Sequence, residues 1–171
     1  MKSLSTPKGT IYVDDDIYDL IKDAPIAWRG DYPSICLHHL ACKPKDGEMI
    51  DHINSNRLDA RRENLRTCTA SQNNMNRGKS KINSTSKYKG VSFSRQAKKY
   101  RIRVALTIDS KTVDLYDAKF SSEIEAAKAR DICALACHGE FAHLNFPIQN
   151  YAGVDIVTES EKWKKRKFKS P

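Results

Sequence analysis

The chain has no apolar run long enough for a transmembrane helix, so an ordinary helical membrane protein is excluded. Its first residues, MKSLSTPKGT, place no apolar core behind Lys2, and no secretory signal is expected. It has no CxxC pair. The five cysteines, Cys36, Cys42, Cys68, Cys133 and Cys137, are odd in number, which points to reduced, mostly buried thiols in a cytoplasmic protein. Cys133 and Cys137 lie four apart on a predicted helix and read as close-packed small residues rather than half a metal site. The aspartates between Asp14 and Asp19 lack the glycine and distal glutamate of a calcium loop. No basic amphipathic helix is evident, which disfavours an anionic membrane as partner.

Cationic charge is plentiful but unevenly spread. The chain of 171 residues carries 30 Lys+Arg against 21 Asp+Glu, a net charge of +9. Residues 1–50 sum to −2, residues 51–77 to +2, residues 78–147 to +6 and residues 148–171 to +3. A cationic surface that displaces condensed counterions favours nucleic acid as the partner.

The length suits one ordinary domain or two small ones. TIYV (10–13) reads as a short strand, and Ile17, Leu20 and Ile21 follow at helical spacing behind early aspartates that suit a helix N-terminus. Trp28, Tyr32, Ile35 and Leu37 read as apolar anchors on strands, and KPKDGE (43–48) as a turn. MIDHI (49–53) predicts a strand, NSNRLDARRE a polar loop, and Asn64 to Cys68 the returning strand. Thr69 opens a helix through about Arg77, with Gln72 completing a capping box. GKSKINSTSK (78–87) is a linker by composition. Beyond it, Tyr100, Ile102, Val104 and Leu106 alternate with Arg101, Arg103, Ala105 and Thr107, the period of a half-buried strand with a cationic outer face. Strands near Val91–Phe93 and Lys111–Tyr116 flank it, joined by a DSK turn. A helix follows from about Ser122 to His138, its Ala126, Ala129, Cys133 and Cys137 forming a small-residue stripe and Gly139 its C′ residue. This second domain is expected to end near LNFP (144–147). The tail EKWKKRKFKS (161–170) reads equally as a tether on DNA phosphates or as a solvated end.

One constellation carries chemistry. Asp51 and His52 are adjacent, Asn64 lies thirteen residues beyond Asp51 and Asn73 twenty-two. Phosphodiester hydrolysis requires a base for the attacking water, stabilisation of the crowded phosphate and neutralisation of the departing oxygen. His52 has an ordinary pKa suited to taking the proton. Asp51 offers the hard anionic oxygen that magnesium prefers, and the amide oxygen of Asn73 a neutral one. Neighbours on a strand point to opposite faces, so Asp51 and His52 cooperate only at a bend or at the strand's end. Asn64 is placed to bind the intervening loop and hold His52 in orientation.

Residues 49–77, MIDHINSNRLDARRENLRTCTASQNNMNR, resemble the HNH endonucleases, specifically the phage-type homing enzymes with a ββα-metal finger. The upstream segment IYVDDD…W…LHHL (11–40) resembles the N-terminal part of such enzymes. The resemblance implies Asp51 and Asn73 as metal ligands, His52 as general base and Asn64 as the structural asparagine. The implied cofactor is a divalent metal, most readily Mg2+ with Mn2+ as the substitute. His39 falls where the family usually has a His-Arg pair, but Leu40 follows, and His39 is assigned no catalytic role. Family members commonly read LDNRR where this chain reads LDARR, so Ala60 removes an amide from the loop.

Residues 88–147 resemble the plant APETALA/ethylene-response-factor DNA-binding domain, through YKGVSFSR (88–95), KKYRIRVAL (98–106), FSSEIEAAKARDICA (120–134) and HLNFP (143–147). That fold lays a three-stranded sheet in the major groove. It implies a DNA-facing set of Arg101, Arg103, Arg95, Lys98, Lys99, Ser92 and Ser94. Arginine is the better bidentate partner of guanine edges, and lysine serves phosphates. Plant members carry arginines where this chain has Ser92 and Ser94.

The expected architecture is therefore α+β. An HNH nuclease domain over 1–77 has its ββα-metal core at about 48–77, a linker spans 78–87, a small three-stranded antiparallel sheet packed on one helix fills 88–147, and a basic tail covers 148–171. The expected activity is site-specific, metal-dependent cleavage of double-stranded DNA to 5′-phosphate and 3′-hydroxyl ends, one strand per engagement. A non-catalytic DNA-binding regulator on a relic HNH fold is the alternative, and an RNA-directed enzyme a further one. No membrane and no obligate protein partner are expected. The expected setting is the cytoplasm of a bacterial host, with a phage or mobile element as the source.

Overall fold

Alternating residues in KSLST and GTIYV form the first antiparallel hairpin, β1 (Lys2–Thr6) with β2 (Gly9–Val13), in which Leu4 faces Ile11. The computed structural model describes residues 2–30, 32–33, 36–79, 84–108 and 111–164. The fold mixes helices with small antiparallel sheets, and the chain divides into two compact units, Met1–Asn76 and Arg77–Pro171. Gly9 takes φ +133°, and a Cβ there would meet Leu58 Cδ1 at 2.9 Å, so the turn requires glycine. Helix α1 (Asp15–Ile21) buries Ile17 and Ile21 against Ile11 and Val13. A two-residue ladder joins β3 (Trp28–Arg29) to β4 (Tyr32–Pro33). Ile35 lies outside the described residues. Leu37, read from the sequence as a strand anchor, instead opens helix α2 (Leu37–Ala41) and is buried in the same cluster as Ile17 and Ile21. The three-residue spacing of Leu37 and Leu40 suits a helical turn, and burial of Leu37 fixes that turn on the core.

Strand β5 (Met49–His52) pairs antiparallel with β6 (Leu65–Cys68) in the register Met49↔Cys68, Ile50↔Thr67, Asp51↔Arg66, His52↔Leu65. Helix α3 (Ala70–Asn76) follows β6 directly. Its capping box is closed in both directions: Thr69 N donates to Gln72 Oε1 at 2.8 Å, and Gln72 N to Thr69 Oγ1 at 3.2 Å.

The second unit is built on the sheet β7 (Val91–Ser94), β8 (Lys99–Ile108) and β9 (Lys111–Phe120), in that order and antiparallel. Ile102 and Val104 are buried, while Arg101 and Arg103 are exposed, as the period of two requires. Asp109 and Ser110 of the DSK turn lie outside the described residues. Helix α4 (Glu123–His138) covers the apolar face, its Ala126, Ala127, Ala129 and Cys133 packed with Val91, Ile102, Val104 and Tyr116. Small side chains allow this close approach. Ser122 caps the helix by accepting from Glu125 N, and Gly139 ends it at φ +54°.

Two boundaries differ from the sequence reading. Ser86, in the composition-defined linker, is buried and donates to Glu123 Oε1 at 2.7 Å, so residues 84–87 are fastened to the N-terminus of α4; residues 80–83 lie outside the described residues. Residues 148–164, grouped by composition with the basic tail, are folded. Helix α5 (Ile156–Glu161) buries Ser160, Tyr151 is buried, and Trp163 meets Phe120 edge to face at 6.0 Å. The anchor is Asp131 of α4, fully buried, which accepts from Asn145 N at 2.6 Å, Phe146 N at 3.1 Å and the Tyr151 hydroxyl at 2.9 Å. A buried carboxylate so surrounded holds the downstream chain in place, and composition alone carries no trace of that. The remaining tail residues, 165–171, lie outside the described residues.

All five cysteines are free thiols. Cys68 and Cys133 are buried, Cys42 and Cys137 half-buried, and Cys36 exposed. Burial pushes the Cys133 thiol up to about 12 and Cys137 to about 11, which makes both inert. Among the described residues no helix is long and apolar enough to cross a membrane.

Candidate active site

The β5–β6 hairpin places Asp51 opposite Arg66. Arg66 Nε and Nη2 donate to Asp51 Oδ2 at 3.0 and 2.8 Å. From α3, Asn76 Nδ2 lies 3.0 Å from each Asp51 oxygen and 3.0 Å from the His52 carbonyl oxygen. Asn76 is itself buried. One amide thus ties the helix to the end of β5 and orients the Asp51 carboxylate. Sequence reasoning missed Asn76; its only signal was a third asparagine in QNNMN.

His52 is half-buried, and its Nε2 is buried with no hydrogen-bond partner. Burial holds its pKa below the ordinary value, with Arg57 acting in the same direction and the Asp51 and Asp59 carboxylates opposing. The lowered pKa favours the neutral imidazole, the form a general base uses. His38, on α2, stands edge to face with it, ring centroids 5.7 Å apart, and His39 lies 4.6 Å from His38. Burial, His39 and His52 push His38 down to about 4. His38, which sequence reasoning passed over, is thus the imidazole packed on His52.

Asn64 holds the loop between the two strands. Its Oδ1 accepts from Asn54 N at 3.0 Å, and its Nδ2 donates to Asp59 O at 2.8 Å. Asn54 Nδ2 donates to Asp59 Oδ2 at 2.9 Å, and Arg61 donates to both Asp59 oxygens at 2.7 Å. Ala60 is buried among Ile11, Val13 and Leu37, and its N–H donates to Tyr12 O at 2.9 Å. The missing amide at this position is thus replaced by core packing and a backbone bond to β2. Asn73, one turn before Asn76, donates through Nδ2 to Met49 Sδ at 3.8 Å. The structure therefore gathers Asp51, His52, Asn64 and Asn76 at the end of β5, and sets Asn73 beside Met49.

A divalent metal fits this donor set in one way. Asp51 Oδ2 accepts from Arg66 and Asn76, whereas Oδ1 accepts from Asn76 alone and keeps a lone pair. Among the described residues no cluster of three or more His, Cys, Asp and Glu is suited to a metal. The protein would supply one carboxylate oxygen and neutral amides, leaving the rest of the shell to water and phosphate, which magnesium tolerates.

In the second unit the register puts Ser92 opposite Arg101 and Ser94 opposite Lys99. Arg95 and Lys98 are exposed at the turn between β7 and β8. Arg101 Nε donates to Asp117 Oδ1 at 2.7 Å, with Nη2 on Oδ2, and Arg103 Nε donates to Asp114 Oδ1 at 2.5 Å. These two aspartates were absent from the sequence reading.

A family model described as HNH endonuclease matches residues 37–75. The match runs from the start of α2 into α3 and takes in His38, Asp51, His52, Asn64 and Asn73. No curated protein and no solved structure matches the chain.

Proposed function

We propose that the chain is a metal-dependent, site-specific DNA endonuclease of the homing type, in which the first unit cuts and the second selects the site. The observation that carries the reading is His52 at the end of β5: a neutral imidazole with a buried, partnerless Nε2, adjacent to the carboxylate of Asp51 and inside the HNH match. His52 removes the proton from the attacking water. Asp51 Oδ1, with Asn73 as second ligand, holds the metal, which when bound supplies positive charge against the phosphate and the departing oxygen. Asn64 fixes the loop that follows His52, and Asn76 with Arg66 sets the angle of the Asp51 carboxylate. The β5–β6–α3 order supports a ββα-metal assignment. The products are 5′-phosphate and 3′-hydroxyl ends, with one strand cut per engagement.

The second unit is proposed as the reader. Support comes from its three-stranded sheet backed by α4, the excess of cations and the exposure of Arg101 and Arg103 on the outer face. An APETALA-like domain places these groups against base edges in the major groove.

A second reading, a DNA-binding regulator on a relic nuclease fold, is favoured by one observation: Arg66 and Asn76 already engage both oxygens of Asp51. A plasmid nicking assay with Mg2+, an EDTA control and the His52→Ala variant separates the two. The endonuclease reading requires nicks that depend on both metal and His52. Retention of DNA with no nicking in Mg2+ or Mn2+ establishes the regulator.

A further inference from the structure

The outer face of the β7–β8–β9 sheet carries two arginines from β8 and two aspartates from β9. The register explains their meeting. Val104 pairs with Tyr116 and Ala105 with Asp114, so Leu115 is the extra residue of a β-bulge. Without the bulge, Asp114 and Asp117, three apart, would leave opposite faces of β9. With it, both reach the cationic face, and each arginine leans to a carboxylate: Arg101 to Asp117 and Arg103 to Asp114.

The contact geometry shows what the pairing leaves available. Asp117 takes the side of the Arg101 guanidinium formed by Nε and Nη2. A guanidinium has five N–H donors, so the end formed by Nη1 and the second Nη2 hydrogen remains for another planar acceptor pair. That end matches O6 and N7 of guanine, the commonest specific arginine contact in the major groove. Arg103 is engaged through its Nε, which leaves its tip equally placed. If these carboxylates served affinity alone, they would oppose it, since each subtracts a negative charge from a face meant for phosphates.

We propose that Asp114 and Asp117 are specificity-positioning residues, which hold the Arg103 and Arg101 forks end-on to read guanine at two places in a double-stranded DNA site. The proposal rests on the reader role given above to the second unit. It assigns the sheet a guanine-bearing recognition sequence, and it makes the bulge at Leu115 part of the reading device rather than an irregularity of the strand.

The test uses the full chain in EDTA, so that bound DNA is not cut, and a library of duplexes with a randomised window, sequenced after retention. Wild type is expected to enrich guanine at two window positions. Arg101→Ala removes one enrichment and Arg103→Ala the other. Asp117→Asn is expected to lower the Arg101-dependent enrichment about tenfold while total retention of random duplex stays level or rises. Asp114→Asn does the same at the Arg103 position. Unchanged enrichment in both aspartate variants, with higher total retention, overturns the positioning role and leaves the reader role standing. Binding without enrichment by wild type, or enrichment indifferent to Arg101→Ala and Arg103→Ala, overturns the reader role itself. Arg101→Lys guards against misfolding as the cause: it keeps the charge, loses the fork, and is expected to lose the same enrichment as Arg101→Ala.

Discussion

Both units pair arginine with aspartate across adjacent antiparallel strands, yet the surroundings differ. In the first unit the side chains of Arg66 and Asp51 are 12% and 7% exposed. In the second, Arg101 and Asp117 are 44% and 23% exposed, and Arg103 and Asp114 are 62% and 20%. The buried pair adds little net stability while intact, but loss of either partner leaves a desolvated charge. The exposed pairs lie in a high-dielectric, salt-screened setting where a typical pair is worth less than about 1 kcal/mol. One chemical motif therefore serves two ends. Burial makes Asp51 a fixed carboxylate of set direction, while exposure leaves the guanidinium ends of Arg101 and Arg103 at the surface, where the proposed reading of bases would take place.

The strongest break in the comparison is at the base. His52→Ala is expected to lower nicking in Mg2+ by at least about 10²–10⁴-fold, with DNA retention in EDTA unchanged, because the proposed reading face belongs to the second unit. Normal turnover in that variant would remove His52 from its role.

Stability should separate the pairs next. Asp51→Ala is expected to cost about 3–5 kcal/mol, and Asp117→Ala less than about 1 kcal/mol. Trp28 packs on the core of the first unit and Trp163 on that of the second, and these are the only tryptophans. Urea unfolding followed by Trp28 in a Trp163→Phe background, and by Trp163 in a Trp28→Phe background, reads each unit. Equal costs for the two aspartate variants would show that burial does not distinguish the pairs.

The asparagines of α3 sharpen the same contrast. Asn73→Ala is expected to raise the Mg2+ needed for half-maximal nicking about tenfold, and Asn76→Ala by a comparable factor, since a residue that orients a metal ligand typically affects affinity by about 10–100-fold. Only Asn76→Ala should also lower urea stability, because its amide is buried against Asp51 and two carbonyls. A Mg2+ titration unmoved by Asn73→Ala would transfer the ligand role away from Asn73.

Much of this was legible beforehand, for identifiable reasons. The period-two run from Tyr100 to Leu106 put Arg101 and Arg103 outside and Ile102 and Val104 inside, because one buried face fixes a strand's register. The capping box at Thr69 marked the start of α3, since the cap bonds are local. Other contacts came from the fold alone. Asp114 reaches the face of Arg103 through a bulge that no pattern in KTVDLYDAKF announces. Asp131 holds Tyr151 across twenty residues, so a tail basic in composition is folded as far as Lys164. His38 rather than His39 faces His52, because burial of Leu37 sets the rotation of a five-residue helix.

A smaller effect tests whether the two units share a response to acid. Each carries a histidine that burial pushes down to about 4: His38 in the first and His138 in the second, where Arg130 and Lys89 act in the same downward direction. The unfolded chain protonates histidine near 6.5, so between about pH 6.5 and 4 it binds more protons than the folded chain at these positions. Stability from this source is therefore full above pH 6.5 and falls as the pH drops toward 4. His138 Nδ1 is buried with no partner, so protonation gains no compensating bond there. His138→Gln is expected to flatten the acid loss reported by Trp163 and leave the Trp28 signal unchanged, whereas His38→Gln should do the reverse. A His138→Gln protein whose Trp163-reported stability falls with pH as steeply as wild type would show that the second unit's acid response comes from another group.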